Sequence, residues 1–174
     1  MNQTFEREVV FDSCVIFDFK AGRIKEDIFL SHIVSVNSVV YEKELKKERK
    51  YLAPHLRDKK FELIKRSPKL DQVVQTLLSM KFKRVGPWDL LGLASAIVTE
   101  RRFATGDHQL REASRKAGVK LTGTIGIACD IIRDKKRTPD DMLAAFDLMK
   151  QRRRRLPWAL ALKEIGELRK GKDD

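Results

Sequence analysis

The chain has almost no cysteine. Cys14 and Cys129 stand far apart in 174 residues, which argues against a disulfide framework or a cysteine-built zinc site and points to a reducing cytoplasm. It has no long apolar run: the best stretch, Leu90 to Val98, is far below the roughly 20 residues of a membrane span. The opening Met1 to Glu8 is polar and carries two glutamates, unlike a secretory leader with its basic start and apolar middle. The five prolines and nine glycines are scattered, so no linker or low-complexity segment separates domains. No glycine-rich phosphate loop and no Gly-x-Ser-x-Gly turn is present. Acidic residues are in deficit, with 37 Lys plus Arg against 25 Asp plus Glu and a formal net charge of +12. That excess favours a polyanionic partner, above all nucleic acid. An apolar content of 42% is too high for a disordered chain and suffices for one core.

Periodicity gives the elements. Val9, Val10 and Phe11 predict a buried parallel strand over Glu8 to Asp12. A short basic helix is expected over Arg23 to Leu30, a strand over His32 to Val36, and a helix from Val39 to about Lys50 capped by Ser38. Phe61 to Ile64 reads as a short edge strand. Leu70, Val73, Val74, Leu77 and Leu78 mark one helical face. Gly86-Pro87 opens a helix whose Leu90 to Val98 stretch is apolar nearly all round, hence central. Arg102 to Thr105 and Val119 to Thr122 are further strands. Helices are expected over Leu110 to Ala117, stopped by Gly118, and from about Ile125. Thr138-Pro139-Asp140 starts another, and the last runs from Pro157 to about Leu168. Strands alternating with helices predict an α/β fold, one domain over residues 1–174, with a central, mostly parallel sheet flanked by helices and C-terminal helices at about 138–170.

Four acidic residues fall where such folds gather ligands, at strand ends and nearby helices. Asp12 ends the first strand, Glu44 follows the second, Asp89 is in the first turn of the central helix, and Asp107 closes Thr105-Gly106-Asp107. Each has an ordinary alternative: a strand-end turn for Asp12 and Asp107, a helix-start position for Asp89, a solvated helix glutamate for Glu44. Together they would repel unless a divalent cation offset their charge. Oxygen-only ligation selects magnesium or manganese.

The residues carrying this pattern resemble the PIN-domain nuclease family over nearly the whole chain. "VVFDSCVIFDF" is similar to that family's first strand, ending in Asp12-Ser13. Ser38 to Glu44-Leu45 matches the spacing of its second acidic segment, with Glu42 as the alternative. "GPWDLLGLASAIV" supplies Asp89, and "FATGDHQLREASRKAGV" supplies Asp107 in the Thr-x-Asp position. The tail "GVKLTGTIGIACDII" followed by two helices is similar to a bacterial and archaeal subgroup that includes VapC-type toxins. Cys14 stands where many relatives carry a polar residue.

The resemblance implies a PIN-like fold and a ribonuclease hydrolysing RNA phosphodiester bonds with Mg²⁺ or Mn²⁺. Asp12, Asp89, Asp107 and Glu44 would be its catalytic metal ligands. It also implies a possible antitoxin partner and a possible homodimer. Ser13 and Thr105 are placed to orient the ligands. Arg152, Arg153, Arg154 and Arg155 form a candidate phosphate rim, with a solvated helix end as the alternative. Trp88 and Trp158 are stacking candidates that core packing also explains. His32, His55 and His108 have no ligand spacing. The competing readings are an RNA-processing or decay nuclease without an antitoxin, a non-catalytic basic nucleic-acid-binding module, and a protein-interaction subunit.

Overall fold

The computed structural model describes residues 7–170; most of the polar N-terminal stretch therefore lies outside the described residues. Strand β1 (Glu8–Phe11) alternates its side chains across two packed layers. Val9 and Phe11 enter one cluster of buried side chains and Val10 the other, as the two-residue period of a doubly covered strand requires. β2 (Ile33–Asn37), β3 (Phe61–Ile64), β4 (Arg102–Ala104) and β5 (Leu121–Thr122) complete a five-stranded sheet of order β3-β2-β1-β4-β5, parallel throughout. The fold is therefore α/β with a parallel sheet and helices on both faces, as the alternating pattern predicts.

The order places a switch point between β1 and β4: the chain winds outward from β1 to β3, then returns to β1's other edge. A crevice opens at the carboxyl ends of the two strands on either side of such a point. Asp12 follows β1 and Thr105 follows β4, so both stand at its mouth.

Several elements differ from the sequence reading. A helix, α1 (Ser13–Ala21), begins directly after Asp12, in a stretch to which the sequence reading assigns no element. Five of its nine side chains and Asp18 besides are buried, so it shows little polar face to betray a helical period. The expected basic helix over Arg23 to Leu30 is reduced to a single turn, α2 (Ile28–Ser31). The expected helix from Val39 to Lys50 is broken into α3 (Ser38–Lys43), a 3₁₀ turn (Lys46–Glu48) and α4 (Arg49–Arg57). Its cap is Asn37, whose side chain accepts from the Val39 amide at 2.9 Å. Ser38 is already inside the first turn.

The remaining helices follow expectation. α5 (Pro68–Ser79) buries Leu70 and Leu77. α6 (Pro87–Thr99) buries Leu90, Leu93, Ala94 and Ala96 against β1 and β4. α7 (His108–Lys116) ends before Gly118, whose φ of +73° is the left-handed conformation that a glycine adopts freely. α8 (Thr124–Arg133), α9 (Pro139–Gln151) and α10 (Trp158–Lys170) cover the other face. Thr138 caps α9 by accepting from the Asp141 amide at 3.1 Å, and Asp141 reaches back to Thr138, a capping box. Among the described residues no helix is long and apolar enough to cross a membrane.

Candidate active site

Three of the four acidic residues are positioned by helix starts. Asp12 is the N-cap of α1, Asp89 lies in the first turn of α6, and Asp107 is the N-cap of α7. Each stands at a positive helix end, which stabilises a carboxylate. Glu44 differs from expectation: it sits at the C-terminal end of α3, its amide donating to the Val40 carbonyl at 2.8 Å, where the chain turns into the 3₁₀ segment. Glu42 is exposed, and its carbonyl accepts from Arg49 at 2.8 Å.

The four meet electrostatically. The Asp89 carboxyl is pushed above the usual range, first by burial and then by the negative charges of Asp12, Asp107 and Glu44; a hydrogen bond from the Gly86 amide opposes this. Four carboxylates from four elements, separated by up to 95 positions in sequence, thus share one field. Glu44 contributes to it, and its carboxylate accepts from Ser13, the residue next to Asp12.

Neighbouring groups hold these carboxylates in fixed orientations. Ser13 donates its hydroxyl to Glu44 Oε2 at 2.5 Å. Thr105 donates to Asp12 Oδ2 at 2.8 Å, and the Asp107 amide donates to Thr105 Oγ1 at 3.1 Å. Asp107 Oδ1 accepts from the Leu110 amide at 2.8 Å, and Asp89 Oδ2 from Gly86 at 2.8 Å. One oxygen of each of Glu44, Asp89 and Asp107 is thereby occupied. The second oxygen of each accepts no hydrogen bond among the described residues.

Cys14 is the residue whose role sequence reasoning missed. Its thiol donates to Asp12 Oδ2 at 2.9 Å, while its sulfur accepts from the Gly106 amide at 3.2 Å. Burial, reinforced by Asp12, pushes the thiol well above its ordinary pKa, so it stays protonated and can donate. Cys14 therefore takes the polar place that its position suggests. The available signal was its place two residues after Asp12, at a helix start.

The donor set is oxygen-only, which suits a hard divalent ion. As the side chains stand, no three acidic, histidine or cysteine groups among the described residues enclose a common point closely enough to hold one. Ligation would require the carboxylates to draw together, with the unoccupied oxygens turned inward.

The arginine run divides. Arg152, Arg153 and Arg155 are exposed. Arg154 is not rim material: its guanidinium is bound to Asp18 at 2.5 Å and to the Cys14 carbonyl at 3.2 Å. Asp18 is buried at 3% exposure and also accepts from Thr124 at 2.5 Å. A buried carboxylate in an apolar helix demands such partners, and Arg154 is drawn in to meet that demand. Trp158 packs edge-on to Phe146 with ring centres 6.3 Å apart, as a core residue. Trp88, next to Asp89, is 40% exposed. His32 pairs with Asp130 and His55 stacks on Phe29, while His108 is exposed beside Glu112.

Comparison with known proteins finds likeness among solved structures alone. No family model matches the chain. No curated protein matches it either. Among solved structures, VapBC2 from Rickettsia felis bound to a DNA fragment from their promoter is similar at 20% identity with a TM-score of 0.46. The match covers 67% of this chain and 98% of that one.

Proposed function

We infer that the protein is a ribonuclease that uses Mg²⁺ or Mn²⁺ to hydrolyse phosphodiester bonds at the crevice between β1 and β4. The observation that carries this reading is geometric: Asp12, Asp89 and Asp107 stand at three helix starts, with Asp12 and Asp107 joined through Thr105 and Glu44 tied by Ser13 to the residue after Asp12. A protein gains nothing in stability by crowding four like charges. A site that collects a dication does gain. The four carboxylates would hold the ion, and when bound it supplies Lewis acidity and neutralises charge developing on the phosphoryl group.

The chain's own groups do the rest. Thr105 and Cys14 hold Asp12, and Ser13 holds Glu44, so that each carboxylate has little freedom left to lose when it draws in to a ligand position. Glu44's other oxygen is free to orient the attacking water and take its proton. The surrounding net positive charge draws in the phosphodiester backbone that the acidic centre alone would repel. The attack is direct and needs no covalent enzyme intermediate; no Ser-His or Cys-His pair is present at the centre among the described residues.

The narrower reading is the toxin of a toxin–antitoxin pair, supported by the sequence resemblance to VapC-type proteins. Its test is co-purification with a small acidic protein that suppresses cleavage. A processing or decay nuclease would cut RNA with no such partner. A non-catalytic binding module would hold RNA in EDTA and never cut it.

The deciding experiment is a Mn²⁺ titration of cleavage of a single-stranded RNA, run on the parent and on Asp12→Asn. Metal-dependent cleavage that vanishes in the variant, with an unchanged circular-dichroism spectrum, supports the reading. Equal activity in the two proteins overturns it.

A further inference from the structure

A cleft of about 630 Å³ opens beside the acidic centre, running from Thr105, Gly106 and His108 to the start of α10. It has the size of a small-ligand site. Its rim is cationic: Arg111, Arg115, Arg133 and Arg155 line it against one carboxylate, Glu164. Its walls are apolar, built from Leu121, Ile125, Leu156 and Leu160. Leu160 stands 45% exposed there.

The arginines differ in what they already do. Arg111 is structural: it donates to the carbonyls of Thr105 at 2.9 Å and Thr122 at 2.7 Å, bridging the ends of β4 and β5. Burial lowers its pKa, and the like charge of nearby Arg115 lowers it further. Arg133 is paired with Asp130 at 3.1 Å. Arg115 is exposed and Arg155 stands on the same rim, and neither has a carboxylate partner among the described residues. Two guanidiniums on one cleft, with no acid paired to either, are poised for an anion.

We propose that this cleft seats one nucleotide of a single-stranded RNA whose neighbouring phosphodiester lies at the acidic centre, with Arg115 and Arg155 on the phosphate and the leucine and isoleucine walls against the sugar and base. The assignment rests on the nuclease reading for its choice of ligand, because a strand crossing the acidic centre continues into a cleft that shares Thr105 with it. Charge complementarity disfavours a cationic or neutral occupant. No Phe, Tyr or Trp lines the cleft among the described residues, which leaves no aromatic platform for a base and places most of the binding on phosphate.

The test uses nucleoside 5′-monophosphates titrated into the parent, into Arg115→Ala/Arg155→Ala and into Arg115→Lys/Arg155→Lys, without metal, followed by amide chemical shifts or calorimetry. Neither arginine carries a structural ion pair, so the folds should survive. Nucleotides should bind the parent more tightly than inorganic phosphate does, with shifts at Ile125 and Leu160. Binding should weaken at least tenfold in the alanine variant and recover in part with lysine. In RNA cleavage the alanine variant should raise KM about tenfold and change kcat less than about threefold. The slope of log binding constant against log salt should fall by about 0.7 for each phosphate that is no longer neutralised.

Nucleotide binding no tighter than phosphate, an unchanged KM, or tighter binding of a Glu- and Asp-rich peptide than of any nucleotide would each overturn the proposal. The peptide result would make the cleft a surface for an acidic protein. The two readings fail separately. RNA cut with an unchanged KM removes the cleft and keeps the nuclease; nucleotides bound there by a protein that cuts no RNA remove the nuclease and keep the cleft.

Discussion

Ser13 Oγ lies 2.5 Å from Glu44 Oε2, joining the first turn of α1 to the end of α3 across 31 positions of sequence. Glu44 sits at a helix terminus, where the chain turns into a 3₁₀ segment. The serine hydroxyl is what ties its carboxylate to the start of α1, next to Asp12. Ser13→Ala should therefore lower kcat about 10- to 100-fold and weaken Mn²⁺ binding, with little change in thermal midpoint. Metal titration and melting of the same preparation separate these effects, and an unchanged kcat would remove Ser13 from the positioning of Glu44.

Asp89 gives a prediction of opposite sign for stability. Burial and three like charges raise its pKa in the folded chain. Its ionised form thus costs stability at neutral pH, and the cost is relieved as pH falls through its folded-state value toward the lower unfolded-state one. Asp89→Asn keeps an oxygen for the Gly86 amide and removes the repulsion. It should raise the thermal midpoint at pH 7, flatten the pH dependence of that midpoint on the acid side, and abolish cleavage. A lower midpoint at pH 7 would show that the repulsion is already relieved.

Asp130 behaves in the reverse way. Burial alone would raise its pKa, but the hydrogen bond from His32 and the charge of Arg102 outweigh burial and hold it below the ordinary carboxylate value. Stability from this group is present above the unfolded-state pKa and is lost as pH falls through the folded-state value. Asp130→Asn should shift the acid-unfolding midpoint upward, read by far-UV circular dichroism in a pH titration.

Half-buried Arg154 pairs with buried Asp18 rather than forming part of a nucleic-acid rim. Arg154→Ala leaves a buried carboxylate, already pushed up by burial, short of its cation and should cost about 1 to 2 kcal/mol in urea unfolding, less than a fully buried pair because Arg154 is partly solvated. Asp18→Asn in that background should recover part of the loss, and the double-mutant cycle measures the coupling. Loss of RNA affinity without loss of stability would return Arg154 to the rim.

Cys14 should be slow to react. Its thiol is kept protonated by burial and by Asp12, and the thiolate is the reactive form. Alkylation by iodoacetamide at pH 8 should modify Cys14 far more slowly in the folded protein than in urea, followed by mass spectrometry. Cys14→Ser should preserve the hydrogen bond to Asp12 and most activity; Cys14→Ala should not.

The fold was legible wherever a pattern had one cause. Val9 to Phe11, the Leu70 to Leu77 face and the Thr138 cap each carry a single local signal, and each element formed there. α1 was hidden because a helix buried on most sides loses its polar stripe, which left the run after Asp12 without a period to assign it by. The end of α3 at Glu44 was hidden because Lys and Glu are good helix formers, so propensity alone continues the helix that tertiary packing of Leu45 and Leu52 breaks. Within the acidic centre, residue types and spacing were visible in advance. The role of Cys14, and the diversion of Arg154 to Asp18, depend on which atoms meet after folding and left no periodic trace.

The central pair of the sheet joins β1 to β4, and Thr105 reaches Asp12 across 93 residues. Closing so long a loop is slow and comes late. During synthesis, Asp12 and Ser13 emerge first and have nothing to meet until the chain beyond Asp107 has left the ribosome. A nascent chain that stops short of Thr105 and Asp107 thus leaves Asp12 without the partners that orient it.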